Sequence, residues 1–293
     1  MNILISGGSG FIGKALQKTF AKAGHSTFIL SRSNGDFSWD PTRQWIQENA
    51  LENIDAIIHL AGENIGAKRW TDSRKSEIIA SRVQSTQLLV NTLKKSSHKV
   101  QSLIFASAIG FYGADSGEEI CTEASNPGND FLATCTQAWE KEAQELPIDI
   151  RSVTFRVGLV FDAKEGIFPK ISEPIKWGIG SALGSGQQWQ SWIHIDDLCQ
   201  FFLQGIENKS LKGTYNAVGI SPMRQHAMAK AIAQHLNRPF FLPAVPSFLL
   251  KILLGEMACL VLGGNRVSCE KFVRETGYSF RFPEIKDALK QLF

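Results

Sequence analysis

The sequence predicts an α/β fold: a doubly wound, mainly parallel sheet with helices on both faces, plus a smaller C-terminal lobe. Three observations carry this expectation. Apolar runs of strand length recur at residues 3–5, 26–30, 55–60, 102–106 and 152–161. Helical patterns separate them, and strands that alternate with helices build parallel sheets. A glycine-rich turn, Ser6-Gly7-Gly8-Ser9-Gly10-Phe11-Ile12-Gly13, joins the first apolar run to the first helical pattern at Lys14–Ala23.

That turn predicts an anion site. Unpaired N–H groups and the dipole at a helix N-terminus both favour a phosphate. Gly7 allows the tight turn, Gly10 lets backbone approach a pyrophosphate, and Gly13 brings helix and strand together. Gly7, Gly10, Phe11, Ile12 and Gly13 are the expected dinucleotide-binding residues here, because the strand and helix that flank them are the context the motif needs.

Composition sets bounds. The chain has 293 residues, 43% hydrophobic and 20% charged, which suits a compact α/β protein. A net charge of +3 without a basic run argues against a nucleic-acid partner. Phe248–Leu254 is too short for a membrane span and is interrupted by Lys251. The N-terminus enters a strand at once, so no leader is expected. Five scattered cysteines without a C-x-x-C pair read as reduced thiols of a cytoplasmic protein.

The second strand, Ser26–Leu30, ends at Ser31-Arg32-Ser33. In this fold that strand end meets the adenosine ribose. An acidic residue there would repel a 2′-phosphate, whereas a guanidinium clamps one. Ser31 and Arg32 therefore predict NADP(H) over NAD(H). Asp55–Gly62 reads as the third strand and its exit, with Leu60 and Ala61 as cofactor contacts. His59, inside an apolar strand, reads as a satisfied core histidine. A helix capped by Thr71 or Asp72 runs to about Leu93. Glu77 and Arg82 on it complete the cofactor-side set: Arg82 either reaches a cofactor phosphate or pairs with Glu77 or Glu63.

The fourth strand, Ser102–Ala106, leads into Ser107-Ala108-Ile109-Gly110-Phe111-Tyr112-Gly113. With Gly7-x-x-Gly10-x-x-Gly13 and Asp55-Ala56-Ile57-Ile58-His59-Leu60-Ala61-Gly62, this stretch resembles the extended, epimerase-type branch of the short-chain dehydrogenases/reductases. The resemblance implies a Rossmann-type fold and a catalytic role for Ser107, donating a hydrogen bond to the substrate oxygen. It also implies a Y-x-x-x-K helix, in which lysine lowers the pKa of a catalytic tyrosine. The helix predicted over Asn129–Leu146 contains no tyrosine. Cys135 and Trp139 stand in the register of the missing pair, and Lys141 projects from another face. Cys135 is either a substitute acid or, with Trp139, a buried helical face.

Glu63-Asn64-Ile65 before Arg69-Trp70, then Trp139-Glu140, then Ser191-Trp192-Ile193-His194-Ile195-Asp196-Asp197 resemble one subgroup, the YfcH-like or SDR39U-type epimerase family. The resemblance runs nearly end to end. Members are described as nucleoside-diphosphate-sugar epimerases and NADP binders. In the strand at Ser152–Phe161, Arg156 is either a substrate ligand or an anchor to a carboxylate. The glycine-rich stretch 168–186 suits a flexible cover. Asp196 and Asp197 read as caps of a helix over Asp196–Gly205, and His194 either faces the substrate or locks its loop. No second histidine or cysteine lies at metal-ligand spacing.

The expected organisation is a dinucleotide-binding domain over 1–165, to which 190–219 returns, and a smaller substrate lobe over 166–293 with a family-specific segment at about 243–293. The expected function is an NADP(H)-dependent oxidoreductase or epimerase-like enzyme acting on a small polar substrate, for example a nucleotide sugar. Ser107, Cys135 and His194 are its catalytic candidates. The competing expectation is a non-catalytic NADP(H)-binding module. Substrate identity and oligomeric state are not written in the sequence.

Overall fold

The computed structural model describes all residues from Met1 to Phe293. In chain order the elements begin β1 (Asn2–Ser6), α1 (Phe11–Lys22), β2 (Ser26–Ser31), β3 (Phe37–Asp40), β4 (Trp45–Ile46), β5 (Ala56–His59), α2 (Asp72–Lys95) and β6 (Ser102–Ala108). Next come β7 (Asp115–Cys121), α3 (Phe131–Ala143), β8 (Arg151–Val157), β9 (Leu159–Phe161), α4 (Phe168–Lys176), β10 (Trp189–Gln190), β11 (Trp192–His194) and α5 (Ile195–Glu207). The chain closes with β12 (Gly213–Ala217), β13 (Met223–Arg224), α6 (Gln225–His235), α7 (Ser247–Leu254), α8 (Cys259–Leu262), β14 (Gly264–Val267), α9 (Glu270–Thr276) and α10 (Ile285–Leu292).

An eight-stranded sheet in the order β12-β8-β6-β5-β1-β2-β3-β4 organises the molecule. Every neighbouring pair is parallel except β3 and β4. The alternation of side chains along a strand decides which layer each residue joins. Ile3 and Ile5 of β1 pack with Leu16 and Phe20 of α1 and Phe201 and Phe202 of α5. Leu4, between them, packs on the other face with Leu88, Leu89 and Leu93 of α2. The sheet is thus wound on both faces, as the alternating pattern predicts. The chain leaves β1 for β2 on one side and later returns to place β5 on the other. The order reverses at β1, and the crevice outside such a reversal is where ligands bind in open α/β sheets.

Two predicted elements are redrawn. The strand expected over 152–161 breaks at Gly158, where a Cβ would meet the Ser191 carbonyl oxygen at 2.4 Å. β8 stays in the main sheet, and β9 leaves it to pair with β11. The stretch 168–186 is not simply a loop, because α4 occupies its first half with Pro169 in the opening turn. Proline is tolerated there, where its missing N–H would be unpaired anyway.

Phe168 and Ile175 of α4 join Phe161, Trp192, Ile232 of α6 and Leu289 of α10 in a separate apolar cluster. β14 threads between β7 and β10. At Gly264 a Cβ would lie 1.8 Å from the Trp189 carbonyl oxygen, and at Gly263 2.2 Å from that of Ala114. Only glycine permits this approach. No helix is long and apolar enough to cross a membrane.

Candidate active site

The turn after β1 has the geometry of a phosphate cradle. Gly7 has a φ of +75°, and a Cβ on it would meet the Leu60–Ala61 backbone at 3.0 Å. A Cβ on Gly13 would lie 2.5 Å from Gly8 Cα. Gly10 caps α1 with no side-chain hydrogen bond, and the first helical bond runs from Lys14 N–H to the Gly10 carbonyl at 2.9 Å. The N–H groups of Phe11, Ile12 and Gly13 therefore have no partner within the helix.

Arg32 follows β2 at the side of this cradle. Its side chain is 72% exposed, and Nη2 lies 3.6 Å from Glu63 Oε1, past the end of β5. Ser31 Oγ accepts the Ser33 N–H at 3.3 Å. Leu60 and Ala61 follow β5 directly, against Gly7.

The two readings of Arg82 are now separated as far as protein partners go. Arg74 takes both carboxylates, Glu63 at 3.2 Å and Glu77 at 3.0 Å. Glu77 is thus engaged by Arg74 along α2, and the expected pairing of Arg82 with Glu77 or Glu63 does not form. Arg82 donates from Nη1 to the Ile78 carbonyl at 3.0 Å. Its guanidinium lies against Gly62 and 5.2 Å from the Trp139 ring centroid.

His59 has the structural role expected of it. Nδ1 lies 2.6 Å from Ser6 Oγ, and Nε2 lies 3.0 Å from Thr86 Oγ1 and 3.2 Å from Ser85 Oγ. Both hydroxyls donate to the Arg82 carbonyl, which assigns the ring proton to Nε2 and the acceptor role to Nδ1. Burial, reinforced by Arg82, holds the imidazole pKa down at about 3.

Ser107 stands at the end of β6 and donates to Glu140 Oε1 at 2.6 Å. Arg156 of β8 grips the same carboxylate, from Nε to Oε1 at 2.9 Å and from Nη2 to Oε2 at 2.8 Å. It also donates from Nη1 to the Tyr112 hydroxyl at 3.1 Å and lies 3.3 Å from the Phe111 ring centroid. Tyr112 in turn donates to Asn216 Oδ1 at 2.7 Å, and burial pushes its phenol pKa up to about 12. Arg156 is therefore the anchor to a carboxylate. Glu140 is the residue that sequence reasoning passed over: the Trp139-Glu140 pair was visible, but nothing local joins it to Ser107 or Arg156.

The other two catalytic candidates lie outside this hydrogen-bond network. Cys135 is buried with Trp70 and Ile78, and burial pushes its thiol pKa up, which disfavours the thiolate. His194 caps α5, with Nδ1 accepting the Asp196 N–H at 3.2 Å and its ring packed 3.9 Å from Phe282. Neither makes a hydrogen bond to Ser107. The capping role expected of Asp197 is corrected. Its buried carboxylate accepts from the Tyr278 hydroxyl at 2.6 Å and from the N–H groups of Arg281 at 2.8 Å and Phe282 at 3.1 Å. Asp196 meets Arg281 at 3.1 Å. The two carboxylates fasten the C-terminal segment to α5. No group of three or more histidine, cysteine or acidic side chains could hold a metal ion.

Residues 3–219 match the model of the NAD dependent epimerase/dehydratase family, and residues 245–292 match a domain of unknown function, DUF1731. The epimerase family protein YfhF of Bacillus subtilis is 35% identical over 300 residues, covering 100% of this chain and 98% of that protein. The crystal structure of human epimerase family protein SDR39U1 (isoform 2) with NADPH superposes with a TM-score of 0.92 at 30% identity, covering 100% of this chain and 99% of that one.

The chain is an SDR39U-type member of the epimerase family.

This SDR39U-type protein also shares its fold with a UDP-glucuronic acid 4-epimerase from Bacillus cereus, solved with UDP-glucuronic acid and NAD. The TM-score is 0.78 at 17% identity, over 99% of this chain and 97% of that one. The DUF1731 match begins just before α7 and covers the segment that Asp196 and Asp197 fasten down.

Proposed function

We infer that this chain is an NADP(H)-dependent oxidoreductase or epimerase acting on a small polar substrate. One observation carries the reading: three N–H groups without a helical partner, at Phe11, Ile12 and Gly13, open onto a turn in which Gly7 and Gly13 leave no room for a Cβ, and Arg32 flanks it. That combination fits a dinucleotide with an extra phosphate on its adenosine half. The N–H groups would hold the pyrophosphate, and Arg32 would exchange Glu63 for the 2′-phosphate. The relative solved with NADPH supports the choice of cofactor. A nicotinamide cofactor supplies hydride transfer to or from a substrate carbon.

The chain's own groups set the substrate side. Ser107 spends its hydroxyl proton on Glu140, which corrects the donor role towards a substrate oxygen that the resemblance implied, and its oxygen keeps its lone pairs for a donor. A substrate hydroxyl is the complementary group, and nucleotide sugars offer several. The fold neighbour solved with a nucleotide sugar supports that class. The division into a cofactor side over 1–165, joined by 190–219, and a substrate lobe over 166–293 is part of this proposal. The return of β12 to the main sheet supports it, and so does the packing of Phe168 and Ile175 of α4 against Ile232 of α6 and Leu289 of α10.

A second reading has its own observation. The phenol closest along the chain to Ser107, that of Tyr112, is tied to Arg156 and Asn216, and no lysine joins it. This favours a non-catalytic NADP(H)-binding module. Native mass spectrometry of freshly purified protein tests the shared premise, with a retained mass equal to NADP(H) expected. Oxidation of NADPH across a carbonyl library then separates the readings. Turnover that Ser107→Ala abolishes supports the enzyme, and tight binding with no turnover supports the module.

A further inference from the structure

α7 buries none of its eight residues. Phe248, Leu249, Ile252 and Leu253 stand at i, i+1, i+4 and i+5, so they share one face, and that face is turned to solvent. A surface helix ordinarily turns its apolar stripe to the core. Leu250 and Leu254, on the opposite face, are partly covered and keep α7 on the lobe. The apolar surface extends beyond the helix. Phe241, in the approach to α7, and Trp177, at the end of α4, are each more than three-quarters exposed. Their two segments run side by side: the Gly184 N–H donates to the Val245 carbonyl at 2.9 Å, and Gly178 lies against Pro239. A contiguous exposed apolar surface of this kind marks a place of contact.

The charge around it says what makes the contact. From Asn208 to Gly255 the chain has six lysines and arginines and no aspartate or glutamate. Lys176, Arg238 and Lys251 are exposed beside the apolar residues, and none of the three pairs with a carboxylate. Glu256, the first acid after α7, is held by Lys75. Glu173, a turn before Trp177 on α4, is the one acid near it in the chain. A second copy docked here would bring the same cations face to face with no carboxylates to meet them. A partner helix needs a groove, and a projecting helix offers none. An anionic bilayer surface suits both features: its headgroups meet the cations, and its acyl boundary takes aliphatic and aromatic side chains. Eight residues of helix measure about 12 Å, against a hydrocarbon core of about 30 Å, so α7 can lie on a bilayer but not cross it.

We propose that α7, with Phe241 and Trp177 beside it, docks this protein on an anionic lipid surface. Phe248, Ile252 and Leu253 enter the acyl boundary, and Lys176, Arg238 and Lys251 meet the headgroups. The docked face adjoins the cleft. Just past α7, Met257 and Leu260 pack on Trp70, which precedes α2, and on Phe131, which opens α3. Helices that follow parallel strands begin at the strand ends where ligands bind, so docking places the mouth of the cleft beside the bilayer. The lipid-facing residues and the phosphate cradle are different, and the proposal is independent of the cofactor reading.

Flotation of the full chain with vesicles tests it. The vesicles are phosphatidylcholine alone, or phosphatidylcholine with about one part in three phosphatidylglycerol. The wild type is expected to partition at least about tenfold more strongly onto the anionic vesicles, and less strongly as salt is raised. Ile252→Asp combined with Leu253→Asp is expected to weaken that binding at least about tenfold and to leave the urea midpoint unchanged, because neither side chain is buried. Reversing Lys176, Arg238 and Lys251 to Glu is expected to abolish the preference for anionic vesicles. If the aspartate pair does not fold, the charge reversals carry the test. Ile148→Asp changes a fully exposed residue between α3 and β8, at the other end of the sheet, and is expected to leave binding as it is. A wild type that does not float with anionic vesicles overturns the proposal, as does unchanged binding by the charge reversals or an equal loss from Ile148→Asp. A dimer in sedimentation that the aspartate pair dissociates, without vesicle binding by the wild type, overturns it in favour of a second copy.

Discussion

Ser107 and Arg156 meet on one carboxylate: the serine hydroxyl donates to Glu140 Oε1 at 2.6 Å while the guanidinium holds both oxygens at 2.9 and 2.8 Å. Three elements, β6, α3 and β8, are locked together at this point, and the lock faces the end of the sheet where the site forms. The Arg156 and Glu140 side chains are only 6% and 11% exposed. Breaking such a pair strands a charge, which costs far more than the intact pair contributes.

Glu140→Ala is therefore expected to destabilise the fold by about 3–5 kcal/mol, read as a lower midpoint in urea. Replacing Glu140 and Arg156 together, by Leu and Met, is expected to cost clearly less than the sum of the single changes. Additive losses would show that the two side chains act independently.

His59 predicts a pH dependence. Its folded pKa of about 3 lies below the ordinary value of 6.5, so the unfolded chain binds a proton that the folded protein refuses. The neutral imidazole costs nothing above pH 6.5, and stability falls as pH drops from there towards about 3. Between pH 7 and pH 5 the loss from this group is about 2 kcal/mol. Urea denaturation at the two pH values checks it, with His59→Gln expected to flatten the difference. A wild-type stability unchanged between them contradicts this account of the histidine.

Asp197 ties the C-terminal segment to α5 through Tyr278, Arg281 and Phe282. Asp197→Ala leaves three donors without their carboxylate and is expected to cost about 3 kcal/mol. Amide hydrogen exchange gives the sharper readout. The N–H groups of Arg281 and Phe282 are expected to lose protection while those of β1 keep theirs.

Gly13→Ala forces a methyl group to within 2.5 Å of Gly8 Cα and 2.6 Å of the Gly7 carbonyl oxygen. The strand and helix can make room only by opening the cradle. Affinity for NADPH is expected to fall at least about tenfold, with about 1–3 kcal/mol of stability lost as well. Fluorescence titration with NADPH checks the first effect and urea denaturation the second.

What was legible in the sequence was local. The Gly7–Gly13 turn, the cap at Thr71 or Asp72 and the apolar run of β1 are each read within a dozen residues; the structure repeats the turn and the run and assigns the cap to Thr71. The SDR39U-type wording of Trp139-Glu140 and of the stretch ending in Asp196-Asp197 pointed to the right family. The roles of those residues were harder to read because they are tertiary. Glu140 meets Arg156 only after β8 has crossed to lie beside β6. Asp197 caps nothing, because His194 had already taken the cap and the Tyr278–Phe282 segment arrives from far along the chain. The fate of Arg82 turned on Arg74, which claimed both carboxylates first. A one-dimensional pattern shows which groups are available, and packing decides which partner each obtains.

The central claim is that the turn after β1, together with Arg32, selects a phosphorylated dinucleotide, and titration calorimetry with NADPH and NADH tests it most directly. NADPH is expected to bind at least about tenfold more tightly than NADH, and Arg32→Ala to erase that difference while leaving NADH affinity unchanged. A flat titration with NADPH, or equal affinities in the wild-type protein, would contradict the account.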